Sequence, residues 1–104
     1  MRKANVYVKG IEAGILTELV KGTEYMFEYP DDYHGPEISR TMPASRKVYK
    51  FNAFPPFFDG LLPEGFQLEG LLKINKTDRT DYFSQLMAVG GDMVGVVTVK
   101  EVME

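Results

Sequence analysis

The chain has 104 residues, a net charge of −3 and no cysteine. That length corresponds to one domain over residues 1–104, able to bury most of its apolar surface and fold alone with little stability to spare. Without cysteine there is no disulfide framework, thiol nucleophile or thiolate metal site, and the acidic balance leaves no electrostatic footprint for nucleic acid or an anionic membrane.

Met1-Arg2-Lys3 leads into alternation and not into an apolar run, so nothing here reads as a signal peptide. No stretch approaches the ~20 apolar residues of a membrane span. The expected address is the cytoplasm. Residues 5–9, Asn5-Val6-Tyr7-Val8-Lys9, predict a strand by their alternation and their β-branched and aromatic content. A hairpin turn is expected at Gly10, then a second segment around Gly14 to Leu19, then a turn at Lys21-Gly22. Residues 23–29 carry the clearest strand pattern, with Tyr25, Phe27 and Tyr29 on one face and Glu24, Met26 and Glu28 on the other. Pro30-Asp31-Asp32 and His34-Gly35-Pro36 interrupt regular structure. Ile38 to Met42 alternates again and predicts a short strand ended by Pro43. Residues 47–51 predict another, with Tyr49 and Phe51 inward.

The period then changes. Pro55-Pro56 suits the first turn of a helix, where a missing N–H costs nothing, and Phe57, Phe58, Leu61 and Leu62 follow at helical spacing. Pro63 and Gly65 break the run. Phe66 to Ile74 resumes it, with Leu68, Leu71 and Leu72 on one face. Asp78 is the expected N-cap of the next helix, with Asp81 near its third position. Tyr82, Phe83, Leu86 and Met87 form that helix's expected buried stripe, and Gly90-Gly91 its stop. Met93 to Val102 predicts a last strand, with Val96, Val97 and Val99 at the centre of a sheet. Strands, then two or three helices, then a returning strand imply an α+β fold with a mainly antiparallel sheet of five to six short strands. Tyr25, Phe27, Leu71, Phe83, Leu86 and Val97 are the expected core.

Little in the chain carries chemistry. Gly90-Gly91-Asp92-Met93-Val94-Gly95 is not G-x-G-x-x-G, lacks a Walker lysine and precedes a strand, so it reads as a helix stop and tight turn. The single histidine, His34, sits in a Pro/Gly loop and reads as solvated; alone it supplies neither a zinc site nor a triad. Asp31-Asp32 reads as an acidic turn. The phosphate lysine, catalytic loop and metal-binding aspartate of a kinase are missing. No catalytic, cofactor-binding or metal residue is therefore expected, and the chain is not expected to be an enzyme. The densest apolar run is Phe54, Phe57, Phe58, Leu61 and Leu62, bracketed by Pro55, Pro56 and Pro63. It reads either as core or as a partner surface.

Four segments resemble the HipA N-terminal region, in the family's order. Ser39-Arg40-Thr41-Met42-Pro43 resembles its S-x-S-M-P segment. Phe57-Phe58-Asp59-Gly60-Leu61-Leu62-Pro63-Glu64-Gly65 resembles its FF-x-N-L-L-P-E-G signature. Thr80-Asp81-Tyr82-Phe83-Ser84-Gln85-Leu86 resembles its D-x-F-x-L-L helix. Gly90 to Val97 resembles its G-G-D-x-x-G-A-V turn and strand. Together they span about residues 5 to 100. Gly60 stands where the family often has asparagine, and Gln67-Leu68-Glu69 replaces its usual arginine.

Full-length HipA proteins are serine/threonine toxin kinases whose catalytic residues lie beyond this region. The resemblance therefore implies a non-catalytic, antitoxin-like partner of a HipA-like kinase in a bacterial toxin–antitoxin system. Some related systems encode this region separately, beside a shortened kinase and a helix-turn-helix DNA-binding protein. The starting Met1 and the polar end at Glu104 fit a natural short protein of that kind. The alternative is an N-terminal fragment of a full HipA-like kinase, contributing only as part of the larger enzyme. The expected partner is the kinase subunit, with the helix-turn-helix protein in the same complex and no direct contact with nucleic acid or membrane. The expected partner-binding residues are Phe57, Phe58, Leu61, Leu62, Pro63 and Glu64. Adjacent helical residues diverge by ~100°, so one of the two rings is expected to anchor the core while the other reaches outward.

Overall fold

A computed structural model gives the architecture and describes residues 1–63, 65–90 and 96–102. Strand β1 (Arg2–Val8), β2 (Ile11–Val20), β3 (Glu24–Glu28) and β4 (Val48–Phe51) come first. Three helices follow, α1 (Pro56–Asp59), α2 (Gly65–Asn75) and α3 (Tyr82–Val89), and β5 (Val97–Glu101) returns. The five strands form one sheet in the order β4-β3-β2-β1-β5, and every pairing is antiparallel. This is the expected α+β class.

Local chemistry explains the turns. Val8 pairs with Ile11, so only Lys9 and Gly10 connect β1 to β2. Both have positive φ, 51° and 80°. A type I′ hairpin turn requires that backbone, and glycine adopts it without strain. The alternating faces fall as expected. Ala4, Val6, Val8, Leu16, Tyr25, Phe27, Tyr29, Val97 and Val99 are buried and form one core with Phe58, Phe83 and Leu86 from the helices.

Several expectations are corrected. Residues 38–42 form no strand; a single bridge joins Ser39 to Met42. The Tyr29 hydroxyl takes over the backbone pairing there, accepting from Ile38 N at 2.9 Å and donating to Met42 O at 2.5 Å. The first helix is only the single turn of α1, and Leu61 and Leu62 lie in the turn that follows. The N-cap of α3 is Asp81, whose carboxylate accepts from Ser84 N; Asp78 instead caps the preceding turn through Thr80. Tyr82 is exposed because it stands at the first helical position, facing away from the sheet. Leu71 is only half-buried, because α2 packs mainly against α3 and not on the sheet. Strand β5 is an edge, not a central strand. Val97 and Val99 are nonetheless buried, since their inward face lies against α3, while Val96 is exposed. Of the Gly90–Val97 motif, residues 91–95 lie outside the described residues.

Candidate partner-docking surface

Two prolines, Pro55 and Pro56, precede the Phe57–Glu64 segment and fix its direction. Pro55 is buried, with φ −58° and ψ 131°, and Pro56 opens α1. The chain then tightens through Asp59 N to Pro55 O, Gly60 N to Pro56 O and Leu62 N to Asp59 O, at 3.0, 3.0 and 3.1 Å. The two adjacent rings diverge. Phe58 is fully buried, its ring 6.0 Å from that of Phe27. Phe57 is half-buried and meets Phe58 edge-on at 5.2 Å. Leu61, Leu62 and Pro63 are half-buried, and the two leucines pack on the core from its margin. Glu64 lies outside the described residues. Upstream, Phe54 bridges the sheet to α3, stacking edge-on against Tyr25 at 5.3 Å and tilted against the exposed Tyr82 at 5.6 Å.

A polar hub on the same side was not foreseen. Arg2 forms a two-pronged pair with Glu18, at 2.8 and 2.9 Å, and reaches Asp81 at 2.9 Å and Ser84 Oγ at 2.7 Å. Its guanidinium stands 4.9 Å over the Phe83 ring. Gly22 N–H and the Tyr25 hydroxyl also donate to Glu18, each at 3.2 Å. Burial would raise the Glu18 carboxyl, which is 4% exposed, but the Arg2, Gly22 and Tyr25 donors outweigh it and hold it below its ordinary range. Asp81 is likewise held low, burial being outweighed by Arg2 and Ser84. Tyr25 is pushed up to about 12 by burial and the Glu18 charge. This hub locks α3 to β1 and β2; every donor in it is used and it offers no reactive group. The signal in the sequence was faint. Arg2 and Glu18 occupy inward positions in register with Ala4 and Leu16, where a charge survives only if paired.

Among the described residues no cluster of histidine, aspartate or glutamate could hold a metal ion, and no helix is long and apolar enough to cross a membrane. His34 is exposed in its loop.

The family model for the HipA N-terminal domain matches residues 4–100. The chain belongs to the HipA N-terminal domain family. A solved structure of the N-terminal domain of HipA toxin is similar in fold, with a TM-score of 0.77 and 27% identity, covering 100% of this chain and 95% of that one. An uncharacterized protein of Haemophilus influenzae is 29% identical over 101 residues, 97% of this chain and 93% of that protein. Membership associates the chain with HipA and its toxin–antitoxin setting. The similarity is to the N-terminal domain alone, and no catalytic kinase domain lies within the 104 residues.

Proposed function

We propose that the chain is the non-catalytic, antitoxin-like partner of a HipA-like serine/threonine kinase in the bacterial cytoplasm. The family match carries the reading: residues 4–100 correspond to a HipA N-terminal domain, the non-catalytic part of such proteins. The Haemophilus influenzae relative supports it, because the match covers 93% of that protein as well. Docking runs through Phe57, Leu61, Leu62 and Pro63, half-buried on a proline-fixed segment that loses little entropy on binding. Phe58 anchors the segment from beneath. A helix-turn-helix protein joins through the kinase.

The test is to mix the purified chain with a HipA-like kinase that lacks this domain and is encoded beside it. Co-elution as a stable complex, with relief of kinase toxicity in cells, is the expected result. Separate elution with undiminished toxicity would overturn the reading. The chain alone is expected to turn over no ATP; turnover abolished by a point substitution in this chain would contradict that. A second reading, a fragment that works only when joined to its kinase, is favoured by the structural likeness to the N-terminal domain of HipA toxin. In that case the fused protein is active and the chain added separately has no effect.

A further inference from the structure

The sheet ends on β4, and no described strand pairs with its outer edge. Tyr29 N bonds to Lys47 O across the β3–β4 ladder at 2.8 Å. By alternation, Tyr49 and Phe51 turn their backbone groups toward β3, while Val48 and Lys50 turn theirs outward. Among the described residues the hydrogen bond there comes from a side chain, Arg46 Nε donating to Val48 O at 3.0 Å. Beside this edge, Thr41, Met42, Tyr49, Phe51, Pro56 and Phe57 line an apolar pocket of about 240 Å³.

Basic residues cluster in this stretch of the sequence, while the register sets Glu24 and Glu28 of β3 diagonal to Lys50 on the outer face. The whole chain carries 15 acidic residues against 12 basic ones, yet from Ile38 to Phe58 it has Arg40, Arg46, Lys47 and Lys50 and no carboxylate. Arg46 stands 5.0 Å over the ring of Tyr49, a wall of the pocket. Arg40 and Lys50 are exposed, and none of Arg40, Arg46 and Lys50 joins an ion pair among the described residues.

We propose that this edge binds an extended acidic segment of a protein partner by strand addition, with one apolar side chain of the segment seated in the pocket. An open edge offers backbone donors and acceptors in alternation, and only another backbone matches that spacing. The pocket selects one apolar side chain of the segment, and the cations select carboxylates beside it. The incoming N–H takes the Val48 carbonyl from Arg46, which then turns to the segment's charge. Lys50 faces the opposite side of the sheet and meets the alternate carboxylates. Phe57 borders both this pocket and the docking segment, but the proposal does not depend on the partner being a kinase.

The experiment is fluorescence anisotropy of a dye-labelled, glutamate-rich synthetic peptide with one central phenylalanine, titrated with the full chain. Saturable binding is expected, weakening as salt is added. It should fall about tenfold or more in the double variant Arg46→Glu, Lys50→Glu, for a peptide with lysine in place of glutamate, and for a peptide with serine in place of phenylalanine. Lys50→Pro, which removes an outward N–H and leaves the β3 ladder intact, should weaken it similarly. Thermal melts confirm that each variant is folded; should Lys50→Pro not fold, the charge-reversed variant decides alone. Absence of binding, equal binding of the lysine peptide, or undiminished binding to the charge-reversed variant would overturn the proposal.

Discussion

The two edges of the sheet are finished differently. On β5, Gly90 at the end of α3 presses against the strand, and its carbonyl accepts from Val99 N at 3.0 Å. Its φ is an ordinary −60°, so glycine is needed there for closeness and not for conformation. A Cβ on Gly90 would collide with the Val99 carbonyl oxygen. On β4, a single arginine side chain covers one carbonyl. An unpaired edge is a liability unless it is covered or used. One edge is met at Val99 by the C-terminal end of α3, whose other end the Arg2 hub holds and whose Phe83 ring is fixed in the core. The other is left open beside an apolar pocket and unpaired cations.

The sharpest way to break the helix-capped side is Phe83→Ala. Phe83 is fully buried between α3 and the sheet, and its loss should cost about 3–5 kcal/mol. An unchanged melting temperature would show that α3 does not hold this edge. Arg2→Ala is the next largest. It leaves Glu18, 4% exposed, without its cation, and should cost about 2–4 kcal/mol. That is less than for a fully buried pair, because Arg2 is 31% exposed. Hydrogen exchange at Val99 should rise in both variants more than exchange in β3; uniform changes would contradict the tie between hub and edge.

Acid should loosen the same side more gently. Glu18 and Asp81 titrate lower in the folded chain than when unfolded. Their contribution is therefore complete above the ordinary carboxylate range near ~4 and is lost as pH falls below it through the folded values. The fall in melting temperature between neutral pH and pH ~3 should shrink in a Glu18→Gln, Asp81→Asn double variant. An equal fall would place the acid sensitivity elsewhere.

The strands were legible because period-2 alternation and turn chemistry act locally: Tyr25, Phe27 and Tyr29 announce β3, and Gly10 its neighbouring hairpin. Placement in the sheet was not. Val97 and Val99 look the same whether a strand is central and covered on both faces or is an edge strand packed under a helix. Leu71 sits on an apolar helical stripe, but α2 packs mainly against α3, and no local pattern reveals which helix lies at the margin. Asp78 and Asp81 both offer cap chemistry, and Arg2, from the far end of the chain, favours Asp81. Ile38–Met42 has strand alternation, but the Tyr29 hydroxyl, nine and thirteen residues away, supplies its partners instead. The docking segment stood out by composition alone. That its two rings diverge followed from the spacing of adjacent helical residues, but that Phe58 is the buried one is visible only in the packing against Phe27.

That divergence sets up the most direct test of the kinase-partner account. Phe57→Ala and Phe58→Ala are compared for thermal stability, and for binding to the HipA-like kinase at a temperature where both remain folded. Phe58, fully buried against Phe27, should cost about 3–5 kcal/mol of stability on truncation and leave binding by the folded fraction nearly intact. Phe57, half-buried, should cost less stability and weaken kinase binding about tenfold or more. If both substitutions lower stability and neither weakens binding, the segment only shapes the fold and the docking account is wrong.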